Sequence, residues 1–240
     1  MDLGLSDRVA LVTASSKGLG FATAAALAAD GARVAITGRD PTSLDRAAAE
    51  LRASTGTDVL TVAGDITDPQ EPARVVGAVV DRWSRLDVLV ANAGGPPAGR
   101  ALEITDEQIA EAVNANLVTT VRLVRAALPH LEASGQGRIC AITSYSVHQP
   151  LPGLSLSNLA RVGLWGWAKT AAQDLVEKGV TLNLICPGAH RTERMVHLGL
   201  TGRAGDPADF GRAAAFLCSS SAAFISGTSL VVDGGATLGL

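Results

Sequence analysis

Aromatic residues are scarce. They make up 3% of the 240 residues, and the one tyrosine is Tyr145. That excludes a base-stacking platform for single-stranded nucleic acid. A formal net charge of −3 is equally poor material for an electrostatic grip on a phosphate backbone, so no nucleic-acid partner is expected. Cysteine is scarce too. Cys140, Cys186 and Cys218 lie far apart, with no CxxC or other metal-ligand spacing. No metal site is expected, and an odd number of distant thiols suits a reducing compartment, where they act as small buried hydrophobes. The opening MDLGLSDRVALVT lacks a basic stretch followed by an apolar core and does not read as a secretory signal. One uncharged run, Ala213 to Val232, has the length of a membrane span. Ser219-Ser220-Ser221 and Ser226-Gly227-Thr228-Ser229 interrupt it, and it reads as a helix end, a turn and a strand. Together these gaps predict a soluble, cytoplasmic protein without a membrane partner.

What is present is apolar. Residues of the hydrophobic class reach 47% and charged ones only 18%, which excludes a disordered chain. A chain of this length buries roughly 70–75% of its unfolded surface and needs no staple. Short β-branched runs alternate with longer alanine-rich stretches. The runs predict strands at Val9–Thr13, Arg33–Thr37, Val59–Ala63, Val88–Ala91, Arg138–Thr143, Thr181–Cys186 and Leu230–Val232. Most are continuously apolar, as parallel strands covered on both faces must be. Helices are predicted at Leu19–Ala29, Ser43–Ala53, Pro72–Trp83, Asp106–Val113, Leu117–Leu131, Ser157–Lys178 and Ala208–Leu217. This alternation implies βαβ units in one doubly wound, Rossmann-like α/β domain spanning residues 1–240, with a parallel seven-stranded sheet.

The first strand runs into Thr13-Ala14-Ser15-Ser16-Lys17-Gly18-Leu19-Gly20, and a helix follows. A glycine-bearing turn in the first βα connection lets backbone approach a pyrophosphate at the helix N-terminus. The second strand ends at Thr37-Gly38-Arg39. An acid there would hold the ribose 2′-hydroxyl of NAD, whereas an arginine accommodates the 2′-phosphate of NADP. Arg39, with Lys17 as a second cation, predicts NADP(H) over NAD(H); the alternative is a solvated surface arginine.

These residues resemble the short-chain dehydrogenase/reductase family, and 3-oxoacyl-carrier-protein reductases in particular. Thr13 to Gly20 is similar to the family's TGxxxGxG, with Ala14 in place of the first glycine. Alanine resists positive φ, so a slightly different loop is expected. The resemblance implies an adenine-side acid at Asp65, followed by Ile66. It implies an NAG motif at Asn92-Ala93-Gly94, an active-site asparagine at Asn116 and a catalytic serine at Ser144. It also implies a nicotinamide-capping segment at Pro187-Gly188 with Thr192. Arg203-Ala204-Gly205-Asp206-Pro207 and Val232-Asp233-Gly234-Gly235 match two further segments. A homotetramer is implied as well, pairing the long helix that carries Trp165 and Trp167 and the C-terminal segment ending Ala236-Thr237-Leu238-Gly239-Leu240. Burial of both tryptophans within one chain is the alternative.

The chain departs from the family at its catalytic signature, YxxxK. About thirteen residues after Ser144 it reads Ser157-Asn158-Leu159-Ala160-Arg161, and Tyr145 is followed four residues later by Gln149. In the family, tyrosine exchanges the substrate's hydroxyl proton while a lysine lowers the phenol's pKa. Serine is a poor proton donor, and arginine is not tunable as lysine is. Ser157 and Arg161 still share one helical face, so Arg161 retains the lysine's other role toward the nicotinamide ribose. His148 and Tyr145 are the other proton-donor candidates, although strand geometry would point Tyr145 away from Ser144. The segment Ala189–His197 corresponds to the family's substrate lid. Its cations suit an anionic small-molecule substrate such as a carboxylate; a solvated loop is the alternative. Two functions remain. One is an NADP(H)-dependent oxidoreductase acting on a carbonyl or alcohol, with Asn116, Ser144, Ser157 and Arg161 at the site. The other is an inactive NADP(H)-binding pseudoenzyme serving as a sensor or oligomer partner. Retained Asn116 and Ser144 favour the enzyme.

Overall fold

The computed structural model describes residues 2–198 and 202–239; Leu240, the end of the apolar tail, lies outside them. Seven strands are present: β1 (Val9–Val12), β2 (Arg33–Gly38), β3 (Val59–Ala63), β4 (Val88–Ala91), β5 (Arg138–Ile142), β6 (Thr181–Pro187) and β7 (Ser229–Val232). All pair in parallel, in the order β3-β2-β1-β4-β5-β6-β7. The helices are α1 (Gly18–Ala29), α2 (Pro41–Thr55), α3 (Glu71–Trp83), α4 (Asp106–Val113), α5 (Thr119–Ala133), α6 (Ser155–Val176), α7 (Glu193–His197) and α8 (Pro207–Leu217). This is the doubly wound sheet that the apolar runs predict.

Side chains alternate along each strand and so sort into two cores. Val9, Leu11, Leu89, Ile139 and Leu184 face α3, α5 and α6. Ala10, Val12, Val34, Ile36, Val90 and Cys140 face α1, α2 and α8. Trp165 and Trp167 pack partly buried against the first of these cores. The strand order reverses between β1 and β4, and a crevice opens there beyond the strands' C-terminal ends. No helix among the described residues is long and apolar enough to cross a membrane.

Two segments differ from the sequence expectation. The helix expected from Leu117 begins earlier, as a π-helical turn at Asn114–Val118 that joins α4 to α5. Asn114 anchors it, donating from Nδ2 to the Thr67 carbonyl at 3.1 Å and accepting from Arg122 at 2.9 Å. Hydrophobic periodicity does not report such a tertiary anchor. The charged segment Ala189–His197 contains the short helix α7 instead of being loop throughout.

Glycine packs α8 on α1. A Cβ on Gly211 would lie 2.2 Å from the carbonyl oxygen of Ala22, whereas one on Gly77 in α3 would meet nothing within 4 Å. Gly211→Ala is therefore expected to destabilise by about 1–3 kcal/mol through overpacking. Gly77→Ala is expected to stabilise by about 1 kcal/mol through helix propensity. Thermal melts should separate the two in sign, by about 2–4 °C per kcal/mol. Melting shifts of the same sign would refute this packing.

Candidate functional site

Three strand ends tie down the loop after β1. Thr13 Oγ1 accepts from the Asn92 amide at 2.8 Å and donates to the Asn92 carbonyl at 2.7 Å, fastening β1 to β4. Ser15 Oγ donates to the Val12 carbonyl at 2.6 Å and accepts from the Thr37 amide at 3.2 Å, fastening β1 to β2. Both side chains are fully buried. They hold the loop's shape and do not line the cleft. Ala14 takes φ 47°. Alanine adopts the left-handed conformation itself, at a cost of about 1–2 kcal/mol. A Cβ on Gly20 would lie 2.6 Å from the Ala14 carbonyl oxygen and 2.7 Å from Asn92 Nδ2, so only glycine fits there.

Beyond this loop lies a cleft of about 2460 Å³. Single-ligand pockets run to roughly 300–1,000 Å³, so there is room here for a large ligand and a second, smaller one. Ser16, Lys17, Gly18, Leu19 and Gly20 form one wall, with Asn92, Ala93 and Gly94 beside them. Lys17 precedes α1 without capping it, which leaves the first-turn amides facing the cleft. The Lys17 side chain reaches across to pair with Glu193 on α7. Exposed Arg39 and Asp65, with buried Ile66, close the far end. Asp65 accepts from the Thr67 amide at 3.0 Å and hydroxyl at 2.8 Å. The amide bond, above all, holds its carboxyl below the usual range, with a smaller contribution from Arg39.

The opposite wall carries Ser144, Tyr145, Ser157 and Arg161, with Pro187, Gly188 and Thr192 above. Ser144 is extended, at φ −161°, and accepts from the Ser146 amide at 3.1 Å. The strand stops at Ile142 and a 3-10 turn follows at Tyr145–Val147, so the alternation expected of Tyr145 does not apply. Tyr145 lines the cleft. His148 does not: its Nε2 lies 2.9 Å from Ser229 Oγ and its ring rests on Trp165. Arg161 is buried. Its Nε donates to Ser157 Oγ at 3.2 Å, and its Nη1 donates to the carbonyls of Ile142 at 3.0 Å and Thr143 at 2.9 Å. Desolvation first, then the charge of Arg194, pulls its pKa down to about 10. Asn116 is buried outside the cleft lining, in the π-helical turn. Its Nδ2 donates to the Ala112 carbonyl at 3.2 Å, and its Oδ1 has no partner among the described residues.

Residues 13–237 match the family model described as Enoyl-(Acyl carrier protein) reductase. Dehydrogenase/reductase SDR family member 4 of Homo sapiens is 31% identical, over 96% of this chain and 88% of its own length. The chain belongs to the short-chain dehydrogenase/reductase family. An uncharacterized oxidoreductase of Mycobacterium tuberculosis is 34% identical, over 97% of this chain and 93% of its own. L-sorbose reductase from Gluconobacter frateurii, solved in complex with NADPH and L-sorbose, has a TM-score of 0.95 at 29% identity, with all of each chain covered. YwfH, an NADPH-dependent reductase involved in bacilysin biosynthesis, shares the fold, with a TM-score of 0.93 at 22% identity.

The residues present fit a dinucleotide. The first amides of α1 are uncapped, and a Cβ on Gly94 would meet only open space on the cleft side. The sequence reading took Arg194 only as one of the cations of Ala189–His197, because a charged run after β6 does not announce which of its cations turns inward. The strained Ala14 gives this family site a direct test. Ala14→Gly should raise stability by about 0.5–1 kcal/mol, the relieved strain less glycine's extra unfolded-state entropy. A lower melting temperature for Ala14→Gly would show that the left-handed turn is not formed.

Proposed function

We propose that the protein is an NADP(H)-dependent oxidoreductase that interconverts a carbonyl and an alcohol. The observation that carries this is the juxtaposition on one cleft floor. Buried Arg161 is bonded to Ser157 beside Ser144, facing the glycine loop whose helix amides are uncapped. The uncapped turn at Gly18 and Leu19 would hold a pyrophosphate. Arg39 would hold a 2′-phosphate. Lys17 would help, since its pair with Glu193 is between two exposed side chains and is readily exchanged. Asp40, the acid nearest the end of β2, is engaged as the cap of α2, accepting from the amides of Thr42 and Ser43. Titration is expected to give tighter binding of NADPH than of NADH. Arg39→Ala should erase about tenfold or more of that preference, the usual worth of a charge-assisted contact. Equal or tighter NADH binding would overturn the NADP(H) reading.

The bound nicotinamide supplies or accepts hydride at C4. Reduction of a ketone then leaves an alkoxide that needs a proton. Ser157 offers a poor acid, although Arg161 Nε stabilises negative charge on its oxygen. Tyr145 is the one phenol of the chain and lines the same wall, so the proton is assigned to it. Ser144 and Ser157 hydroxyls orient the substrate oxygen. Tyr145→Phe should lower kcat by about 10²–10⁴, the ordinary contribution of a placed acid, and leave the Kd of NADPH unchanged. The pair Ser157→Tyr with Arg161→Lys should raise turnover of simple 3-oxoacyl substrates. Undiminished kcat in Tyr145→Phe would dismiss that phenol. A wild type that binds NADPH but reduces no carbonyl would favour a binding role over catalysis.

A further inference from the structure

The deepest charge in the cleft has no counter-ion among the described residues. Arg161 spends Nε on a hydroxyl and Nη1 on two carbonyls, which hold the guanidinium without neutralising it. Its Nη2 makes no hydrogen bond among the described residues, although the side chain lines the cleft. A second cation stands near enough to depress its pKa. This is Arg194 on α7, whose Nη2 donates to the Pro96 carbonyl at 2.8 Å and lies over Gly95. Arg194 is itself part-buried and shifted down by desolvation, again with no carboxylate against it among the described residues. His190 on the same side has Nδ1 3.1 Å from the Gly188 carbonyl.

The acids that line the cleft are committed elsewhere. Asp65 serves Thr67, Glu193 pairs with Lys17, and Asp206 takes Arg191 and the Ala208 amide. Asp30 follows the far end of α1, and Glu111 stands exposed to water on α4. Two partly or fully desolvated guanidinium groups therefore share a pocket whose acids do not answer them. Such a pair is stabilised by a planar anion that both forks can grip.

We propose that the substrate carries a carboxylate, held between Arg161 and Arg194, so that the carbonyl compound reduced is an oxo acid. This rests on the oxidoreductase reading above and adds the substrate's chemical class. It makes Arg194 a specificity-determining residue: α7 brings its charge over the cleft, and the substrate's anionic end completes what the protein leaves unpaired.

The test uses the purified protein loaded with NADP⁺. Calorimetry would compare 2-oxobutanoate, 3-oxobutanoate and 4-oxopentanoate with their methyl esters at millimolar concentration. At least one acid is expected to bind about tenfold or more tighter than its ester. Arg194→Met, a substitution on the exposed short helix, should abolish that preference while leaving NADPH affinity within about twofold. Arg161→Met should also abolish the preference for acid over ester, whatever it does to cofactor affinity; Arg194→Met alone decides the proposal if Arg161→Met does not fold. No acid preferred over its ester, or no acid bound at all, overturns the proposal. So does a large loss of NADPH affinity in Arg194→Met, which would assign that arginine to the cofactor. Failure of the wild type to bind NADPH is a separate result, and it sinks the function reading instead.

Discussion

A single hydroxyl holds the cleft open. Thr13 sits at the point where the strand order reverses, and its Oγ1 both accepts from and donates to the backbone of Asn92. Two adjacent parallel strands diverge there to their separate loops, and their last amide and carbonyl would otherwise be buried without partners. Fastening them fixes the spacing between the glycine loop and the Asn92-Ala93-Gly94 wall. Asn92 then returns a bond from Nδ2 to the Ala14 carbonyl at 3.0 Å. That carbonyl lies where a Cβ on Gly20 would have to go. Backbone strain at Ala14, the missing side chain at Gly20 and the orientation of the first α1 amides all descend from one threonine.

The other wall obeys a different constraint. Its charge is carried by Arg161 on α6, and burial makes the choice of an arginine consequential. A lysine can shed its proton when desolvated, but a guanidinium keeps its charge through the physiological range even with its pKa drawn down to about 10. The end of β5 answers with two carbonyls, from Ile142 and Thr143, and α6 with Ser157 one turn back. The floor of the cleft is thus permanently cationic.

The architecture was legible because it is written in short-range chemistry. Continuous apolar runs such as Val9–Val12 and Val88–Ala91 admit few other placements than strands covered on both faces. The cleft-lining glycines and Arg39 were legible for the same reason, since each acts from its own position in a βα turn. Thr13, Ser15 and Asn116 read equally well as ligand-facing residues, because a polar side chain at a strand end or on a helix does not reveal which way it turns. Distant partners, Asn92 and Thr37, turn Thr13 and Ser15 inward, and Asn116 turns onto the Ala112 carbonyl one helical turn back. The orientation of Tyr145 hung on one condition, that the strand continue past Ile142, and it does not. Contacts with Ser229 and Trp165, remote in sequence, hold His148 off the cleft lining.

Asp40 stands two residues past the end of β2, just after Arg39, and gives both carboxylate oxygens to the start of α2, with Pro41 preset behind it. Its allegiance is therefore divided between two tasks that other chains can keep apart. A carboxylate turned toward a ribose diol would have to abandon the amides of Thr42 and Ser43 and let the helix fray. Under the NADP(H) reading, cofactor choice and the integrity of α2 are one trait, and a redesign toward the unphosphorylated dinucleotide would have to supply a new helix cap before it could move this side chain.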